Sequence, residues 1–265
     1  MSDHEGTAEI RTPRQPVDAV YQNKFVGVPD VIAEWVREHG GLAGRDVLDF
    51  GCGEATMALG IALRHGARRV VGVETHEEID NCLPNARAQL GLERLPQNLE
   101  LVRTGPDSSL EELGQFDVVY SWSVFEHVSQ DLISDCFRKI KRVMRPHGVM
   151  FLQTTPLYYS AEGSHLKPWV PAPWAHLSMQ QDLFYAALRA SADSDEHANH
   201  LKWVYETLNR ATAPQLLRAA RQAGFEIIRE YRTHDELDIP DEIKEIYTPE
   251  ALTTNQLVFL ARHAA

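Results

Sequence analysis

The chain has 265 residues, 43% of them hydrophobic and 24% charged, the balance of an ordinary soluble globular protein, which excludes fibrous, collagen-like and disordered classes. Its 26 lysines and arginines face 38 aspartates and glutamates, a formal net charge of −12, and that excess argues against a protein that grips nucleic acid by neutralising phosphates. Three cysteines, Cys52, Cys82 and Cys136, are too few and too scattered for a disulfide framework or a four-thiolate zinc site and fit a reducing compartment.

The opening residues to about Pro16 are polar and carry no apolar stretch of the signal-peptide kind, and residues 1–27 read as a flexible N-terminal segment. No run of 18 apolar residues occurs, so the expectation is a cytoplasmic protein with no membrane partner. A helix is expected from Val28, with Pro29 in its first turn and Val31, Ile32, Trp35 and Val36 at helical spacing until Gly40-Gly41. Asp46–Phe50 reads as a short apolar strand, Ala55–His65 as a helix closed by Gly66, and Arg69–Glu74 as a second strand. His76–Leu90 reads as a helix that Pro84 either kinks or restarts. A third strand at Leu99–Val102 precedes a turn-rich loop with Gly105, Pro106 and Asp107, and Phe116–Trp122 is the fourth strand. Gln130–Met144 places Leu132, Ile133, Phe137, Ile140 and Val143 on one helical face, Pro146 with Gly148 stops it, and Val149–Gln153 is the fifth strand. Strands that alternate with helices in this way specify a mostly parallel sheet covered on both faces.

Regularity lapses after residue 155. Residues 156–205 hold Tyr158, Tyr159, Trp169, Trp174, Phe184, Tyr185, Trp203 and Tyr205, and the stretch 156–210 reads as an aromatic-rich insertion. Ala213–Ala223 resumes as a helix, Phe225–Tyr231 and Gln256–Ala261 as strands that pair antiparallel across an acidic loop. The fold expected is therefore α/β, a Rossmann-like, seven-stranded, mostly parallel sheet with an antiparallel last strand, in one domain over residues 28–265.

Ligands of open parallel sheets bind beyond the carboxyl ends of the strands. There the first strand runs into Asp49-Phe-Gly-Cys-Gly-Glu54, with two glycines where the backbone must turn sharply and approach a ligand. Glu74 ends the next strand, where a carboxylate can accept hydrogen bonds from a ribose diol. A nicotinamide dehydrogenase is the competing reading of such a loop, but its glycine pattern requires a small residue where this chain has β-branched Thr56.

These segments resemble the class I S-adenosylmethionine-dependent methyltransferases. Val47–Glu54 is similar to that family's first motif, Val71-Gly-Val-Glu74 to its ribose-binding strand end, Phe116–His127 to its fourth strand with the Glu-His that follows, and Val143–Gly148 to its turn into the fifth strand. The resemblance covers about residues 28–155 and 212–262. It implies S-adenosylmethionine as cofactor, with Asp49, Gly51, Cys52, Gly53, Glu74, Asp107, Ser108 and Ser121 as cofactor-binding residues. Gly51 and Gly53 would lie near the methionine moiety, Asp49 at its amino acid end, Glu74 on the ribose, and Asp107 with Ser108 near the adenine. The chain departs from the pattern at Ala55, where a third glycine is common.

Methyl transfer is an in-line displacement that needs alignment and exclusion of water, and an alcohol acceptor gains from a base. His127, His165 and His176 are the candidate catalytic residues. His127 sits just after the fourth strand, with a structural histidine at a helix start as the alternative. Gly163-x-His165 and Pro173-Trp-x-His176 resemble an insertion of some methyltransferases in glycan and natural-product pathways, which would make the insertion a lid that supplies an apolar pocket and a base. The alternative is that Trp169, Trp174 and Tyr185 form the insertion's own small core. Glu196-His197 and His200 could gather round a divalent ion, but solvated histidines are the reading preferred, with no metal. The expectation is a methyltransferase for a small-molecule acceptor, with oxygen as the leading acceptor atom and no nucleic acid partner. A protein acceptor and an inactive scaffold of the same fold remain open.

Overall fold

A computed structural model describes residues 14–105 and 108–265 of the chain. The chain divides into two compact units, one ending at Ser108 and the other starting at Ser109. Of the seven strands, numbered in chain order, those of the first unit are arranged 3-2-1 and those of the second 4-5-7-6.

The first unit carries β1 (Asp46–Phe50), β2 (Arg69–Glu74) and β3 (Leu99–Arg103). Both of its ladders are parallel, with Phe50 opposite Val73 and Glu74 opposite Arg103. Their middles are buried, as the continuous apolar runs Val47-Leu48 and Val70-Val71 require of strands covered on both faces. Helices follow the first two strands: α3 (Thr56–Arg64) after β1, and a 3-10 turn leading into α4 (Cys82–Leu90) after β2. Pro84 stands in the first turn of α4, where its missing N–H costs nothing. Of the two possibilities the sequence left for this proline, the structure takes the restart.

The N-terminal segment differs from expectation. The chain is helical from Ala19, through α1 (Ala19–Gln22), a π-helical turn at Asn23–Gly27 and α2 (Val28–Val36). Asp18 caps α1 by accepting a hydrogen bond from the Tyr21 amide at 2.7 Å. Tyr21 and Phe25 are buried and stack with ring centroids 6.1 Å apart. The reading of residues 1–27 as flexible is thus corrected over 19–27, while residues 1–13 lie outside those described. Gly60 explains how the segment docks: a Cβ on this glycine of α3 would stand 2.2 Å from the Phe25 carbonyl oxygen. Only a missing side chain lets the two backbones approach so closely.

The second unit carries β4 (Phe116–Trp122), α5 (Ile133–Val143) and β5 (Met144–Thr154), then α6 (Ala175–Ser178), α7 (Gln181–Ser191), α8 (Asp195–Thr207) and α9 (Ala213–Gln222). It ends with β6 (Phe225–His234), α10 (Asp241–Lys244), α11 (Pro249–Thr253) and β7 (Thr254–His263). β4 and β5 are parallel, and β7 runs antiparallel to both β5 and β6, the antiparallel pairing expected of the last two strands, although their connection, read from sequence as an acidic loop with no helix, holds the short helices α10 and α11. β5 starts five residues earlier than expected, because the Arg145–Gly148 stretch forms a bulge between the pairs Phe116–Met144 and Val118–Val149. A Cβ at Gly148 would meet the Arg145 and Asp117 carbonyl oxygens at 3.0 and 3.1 Å, so a side chain there would crowd the bulge.

The insertion after β5 builds a core of its own. Leu166, Val170, Ala175, Phe184, Leu188 and Leu201 are buried together, with Trp169, Tyr185 and Tyr205 packed against them. Trp174 is buried beside Ala161, Ile243 and Leu252, and its indole Nε1 donates to the Tyr159 and Leu252 carbonyl oxygens at 3.2 and 3.1 Å. Of the two roles the sequence left open for Trp169, Trp174 and Tyr185, the structure gives them the packing one.

Candidate functional site

In the first unit, the turn after β1, the end of β2 and the turn after β3 lie at one edge of the parallel ladder. The Gly51 and Cys52 amides both donate to the Val73 carbonyl oxygen at 3.0 Å, which ties the turn to β2. Gly51 and Gly53 have φ of +79° and +53°, a region that glycine enters without steric cost. Ala55 also sits there, at φ +56°, fully buried, so this alanine adopts the backbone that a third glycine would.

Glu74 closes the arrangement. Its Oε2 accepts from the Gly53 amide at 2.8 Å, and its Oε1 accepts from the Thr75 amide, the Thr75 hydroxyl and the His76 amide at 2.7, 3.2 and 3.2 Å. Oε1 is filled by these donors, so Oε2 is the atom with acceptor capacity left over. After β3, the Thr104 amide donates to the Glu74 carbonyl oxygen and the Gly105 amide to Ser108 Oγ at 2.9 Å. Asp107 lies outside the described residues.

Two further expectations are refined by burial. Cys52 is buried, with its amide committed to β2 and its Sγ beside Gly72, where an added Cβ would stand 2.9 Å from the sulfur. Burial, and then Asp49, push its thiol pKa up, which keeps the sulfur protonated under the turn. Asp49 itself is fully buried one residue before the end of β1. Ser121, expected among the cofactor residues, is fully buried on β4 in the second unit.

Tyr21 is a feature of this site that the sequence reading missed. Its hydroxyl is buried without a hydrogen-bond partner among the described residues, and burial, Cys82 and Glu54 all push its pKa up. A shielded hydroxyl near Glu54 of the glycine turn has unmet hydrogen-bonding capacity, which normally marks a missing ligand or water. The helical signal was present in the Asp18 cap and the Tyr21 and Phe25 spacing, but the polar opening residues obscured it.

The site therefore fits an adenosyl cofactor on three observations. Ala55 gives α3 no side-chain cap, so the amides of its first turn face the turn as donors for an anionic group. Glu74 Oε2 faces the glycine turn as an acceptor for a hydroxyl. Tyr21 adds an unsatisfied hydroxyl.

In the second unit, the turn after β4 carries Glu126 and His127. Glu126 is buried, and the Thr154 hydroxyl at the end of β5 donates to its Oε2 at 2.6 Å. Burial pushes this carboxyl up to about 7, with Thr154 acting in the opposite direction. Ser123 donates its amide and hydroxyl to Gln153 Oε1, both at 3.1 Å. Asn209, which no sequence signal picked out, clasps the turn. Its amide donates to the Glu126 carbonyl oxygen at 2.9 Å, its Nδ2 donates to the carbonyl oxygens of Phe125 and, at 2.7 Å, Val128, and its Oδ1 accepts from the Ala211 amide.

The structure brings two of the three candidate histidines together. The His127 and His165 rings meet edge to face at 5.1 Å. His165 Nε2 donates to the Pro156 carbonyl oxygen at 2.9 Å, and burial holds its pKa down to about 4 against that bond. His176 stands apart: its buried ring lies against Tyr158 at 5.2 Å, and its Nε2 donates to the Tyr158 carbonyl oxygen at 2.6 Å. Burial, with Arg210 adding to it, brings His176 down to about 4. A neutral ring with one nitrogen tied to the backbone supports the fold around Tyr158.

Among the described residues no group of three or more His, Cys, Asp or Glu side chains is placed to hold a metal ion. His197 instead pairs with Asp193 at 3.3 Å and packs edge-on against Trp169, while His200 stacks on Trp203. Among the described residues, no helix is long and apolar enough to cross a membrane.

Comparison with known proteins points the same way. A family model described as a methyltransferase domain matches residues 27–230. Curated relatives include a ubiquinone biosynthesis O-methyltransferase of Pseudomonas fluorescens, 37% identical over 123 residues, which are 45% of this chain and 48% of that protein. The Pseudomonas savastanoi protein of the same description is 35% identical over 121 residues, again 45% and 48%. The chain spans about half the length of these curated relatives. Among solved structures, an S-adenosylmethionine-dependent methyltransferase from Clostridium acetobutylicum has a TM-score of 0.55 at 11% identity, covering 92% of both chains. The magnesium protoporphyrin IX methyltransferase from Synechocystis, crystallised with SAH, has a TM-score of 0.56 at 14% identity, covering 95% of this chain and 90% of that one. Likeness at such identities is likeness of fold.

Proposed function

The chain belongs to the methyltransferase-domain family, and from that membership we propose that it transfers a methyl group from S-adenosylmethionine to an oxygen of a small-molecule acceptor. The observation that carries the reading is the glycine turn locked to β2, with Glu74 Oε2 at its centre. The similarity of nearly half the chain to ubiquinone biosynthesis O-methyltransferases supports oxygen as the acceptor atom. The Gly-x-His and Pro-Trp-x-His segments favour a place in glycan or natural-product biosynthesis, in the cytoplasm.

Bound S-adenosylmethionine supplies a methyl group on a sulfonium, ready for in-line attack. The chain has to hold it, orient an acceptor and take a proton. Glu74 Oε2 would accept from a ribose hydroxyl, the turn at Gly51 and Gly53 would admit the amino acid end, and the first-turn amides of α3 would donate to its carboxylate. His127 is the base of this reading. His165, kept neutral by burial, sets its edge against the His127 ring and orients it. His127 would take the acceptor's hydroxyl proton on its imidazole, and the cofactor would supply the methyl group, its methyl–sulfur bond breaking with the electron pair left on the sulfur of S-adenosylhomocysteine.

Calorimetric titration with S-adenosylhomocysteine (SAH), the demethylated product, tests the reading. Micromolar binding that Glu74→Ala abolishes supports it. A well-folded protein that gives no heat overturns it in favour of a scaffold. Once an acceptor is found, His127→Ala should lower turnover while leaving SAH affinity in place.

A further inference from the structure

Three carboxylates crowd the glycine turn of the first unit. Glu74 Oε2 accepts from the Gly53 amide at 2.8 Å, Glu54 is the next residue of the turn, half-buried, and Glu78 comes from the 3-10 turn Glu77–Asn81. A Cβ on Gly53 would stand 3.6 Å from Glu78 Oε1, so this carboxylate overhangs the same glycine. None of the three forms an ion pair among the described residues, whereas Asp30, Asp46 and Glu100 of the same unit pair with Arg64, Arg68 and Arg69.

Like charges held together disfavour one another's ionised form, and a cation among them relieves the repulsion. Burial and then the Glu74 charge push the Glu78 carboxyl up, with Glu54 adding to the push and His76 and Lys24 opposing it. A second feature of the turn is equally unsatisfied: the Tyr21 hydroxyl, on a side chain 7% exposed, has no hydrogen-bond partner among the described residues, and after burial and Cys82 it is Glu54 that pushes its pKa up. The carboxylates are not arranged for a metal ion, since no group of three or more His, Cys, Asp or Glu among the described residues is placed to hold one. An organic cation, carried by a ligand that also reaches the Tyr21 hydroxyl, meets both needs.

We propose that Glu54 and Glu78 are specificity-determining residues that make the turn prefer the methylated, cationic form of the cofactor over its neutral demethylated product, so that SAH leaves readily after transfer. The proposal rests on the methyl-transfer reading and deepens it. S-adenosylmethionine carries a sulfonium and an ammonium against one carboxylate, a net positive charge, and SAH has lost the sulfonium. A net cation over the turn gains from the field of the carboxylates, and a neutral molecule does not. Glu74 is committed to the Gly53, Thr75 and His76 amides, so Glu54 and Glu78 are the pair whose neutralisation reads the charge alone. Water and salt screen partly exposed groups, which limits each of the two to about threefold in affinity.

The test is calorimetric titration of the full chain with S-adenosylmethionine, SAH and sinefungin, an analogue whose ammonium stands where the methylsulfonium does. Wild type should bind the two cationic probes about tenfold more tightly than SAH. Glu54→Gln and Glu78→Gln should each narrow that ratio about threefold, Glu78→Asp should keep most of it, and high salt should narrow it in wild type, each variant retaining the wild-type circular dichroism. SAH bound by wild type as tightly as the cationic probes, or a ratio that either glutamine variant leaves unchanged, would overturn the proposal while the binding of SAH still upholds the methyl-transfer reading. Binding of none of the three probes by well-folded wild type would overturn that reading, and the proposal with it.

Discussion

Asn209→Ala removes a side chain with three hydrogen bonds, to the carbonyl oxygens of Phe125 and Val128 and from the Ala211 amide, and leaves the bond from its own amide to Glu126 intact. Asn209 is only 9% exposed, so water does not fully replace the lost partners. At about 1 kcal/mol net for each bond, the expected loss is roughly 3 kcal/mol of unfolding free energy. Asn209→Asp keeps the acceptor for Ala211 but turns a carboxylate oxygen toward two carbonyls, so it should cost at least as much at neutral pH. Urea denaturation of the three proteins gives both values, and faster exchange of the Ala211 amide in the alanine variant would locate the effect. A loss below about 1 kcal/mol in Asn209→Ala, or an aspartate variant as stable as wild type, would refute the reasoning that this residue holds the His127 turn.

Three other outcomes follow from burial. Gly60→Ala should cost on the order of 2–3 kcal/mol and expose Tyr21 and Phe25 to a fluorescence quencher, because the new Cβ would stand 2.2 Å from a backbone oxygen that cannot move alone; an unchanged melting temperature would refute the docking. Glu126, pushed up to about 7, binds more protons folded than unfolded, so its contribution to stability falls as pH rises from about 4.5 to 7. Glu126→Gln should therefore gain on wild type across that window, by up to about 3 kcal/mol, and a constant difference from pH 4.5 to 8 would contradict the burial argument. His176, held down to about 4, is neutral when folded and charged when unfolded, so stability should be lost as pH falls from about 6.5 toward 4. His176→Asn should flatten that slope by roughly 2–3 kcal/mol, as followed by denaturation at several pH values.

The parallel core was legible because its signals are local and repetitive: apolar runs at 46–50, 69–74 and 116–122, each followed by a helical spacing and a glycine or proline stop. The glycine turn and Glu74 were legible for the same reason, since backbone that must turn sharply leaves glycine at fixed places. The rest depends on partners distant in sequence. Arg145–Gly148 reads as a stop signal, yet β4 recruits the residues on both sides into a bulged strand. Trp174 reads equally well as a pocket wall or as core, and only its bond to Leu252, 78 residues away, decides. Tyr21 lies in a polar stretch, and its burial depends on Gly60. Asn209 has no motif at all; its role appears once the 125–128 turn lies within its reach.

A crystal of the full chain grown with SAH tests the central claim most directly. The account predicts a ribose hydroxyl within hydrogen-bonding distance of Glu74 Oε2 and the amino acid carboxylate at the first turn of α3, over Gly51 and Gly53. Electron density for SAH elsewhere, or a glycine turn closed by side chains with Glu74 Oε2 turned away, would contradict it.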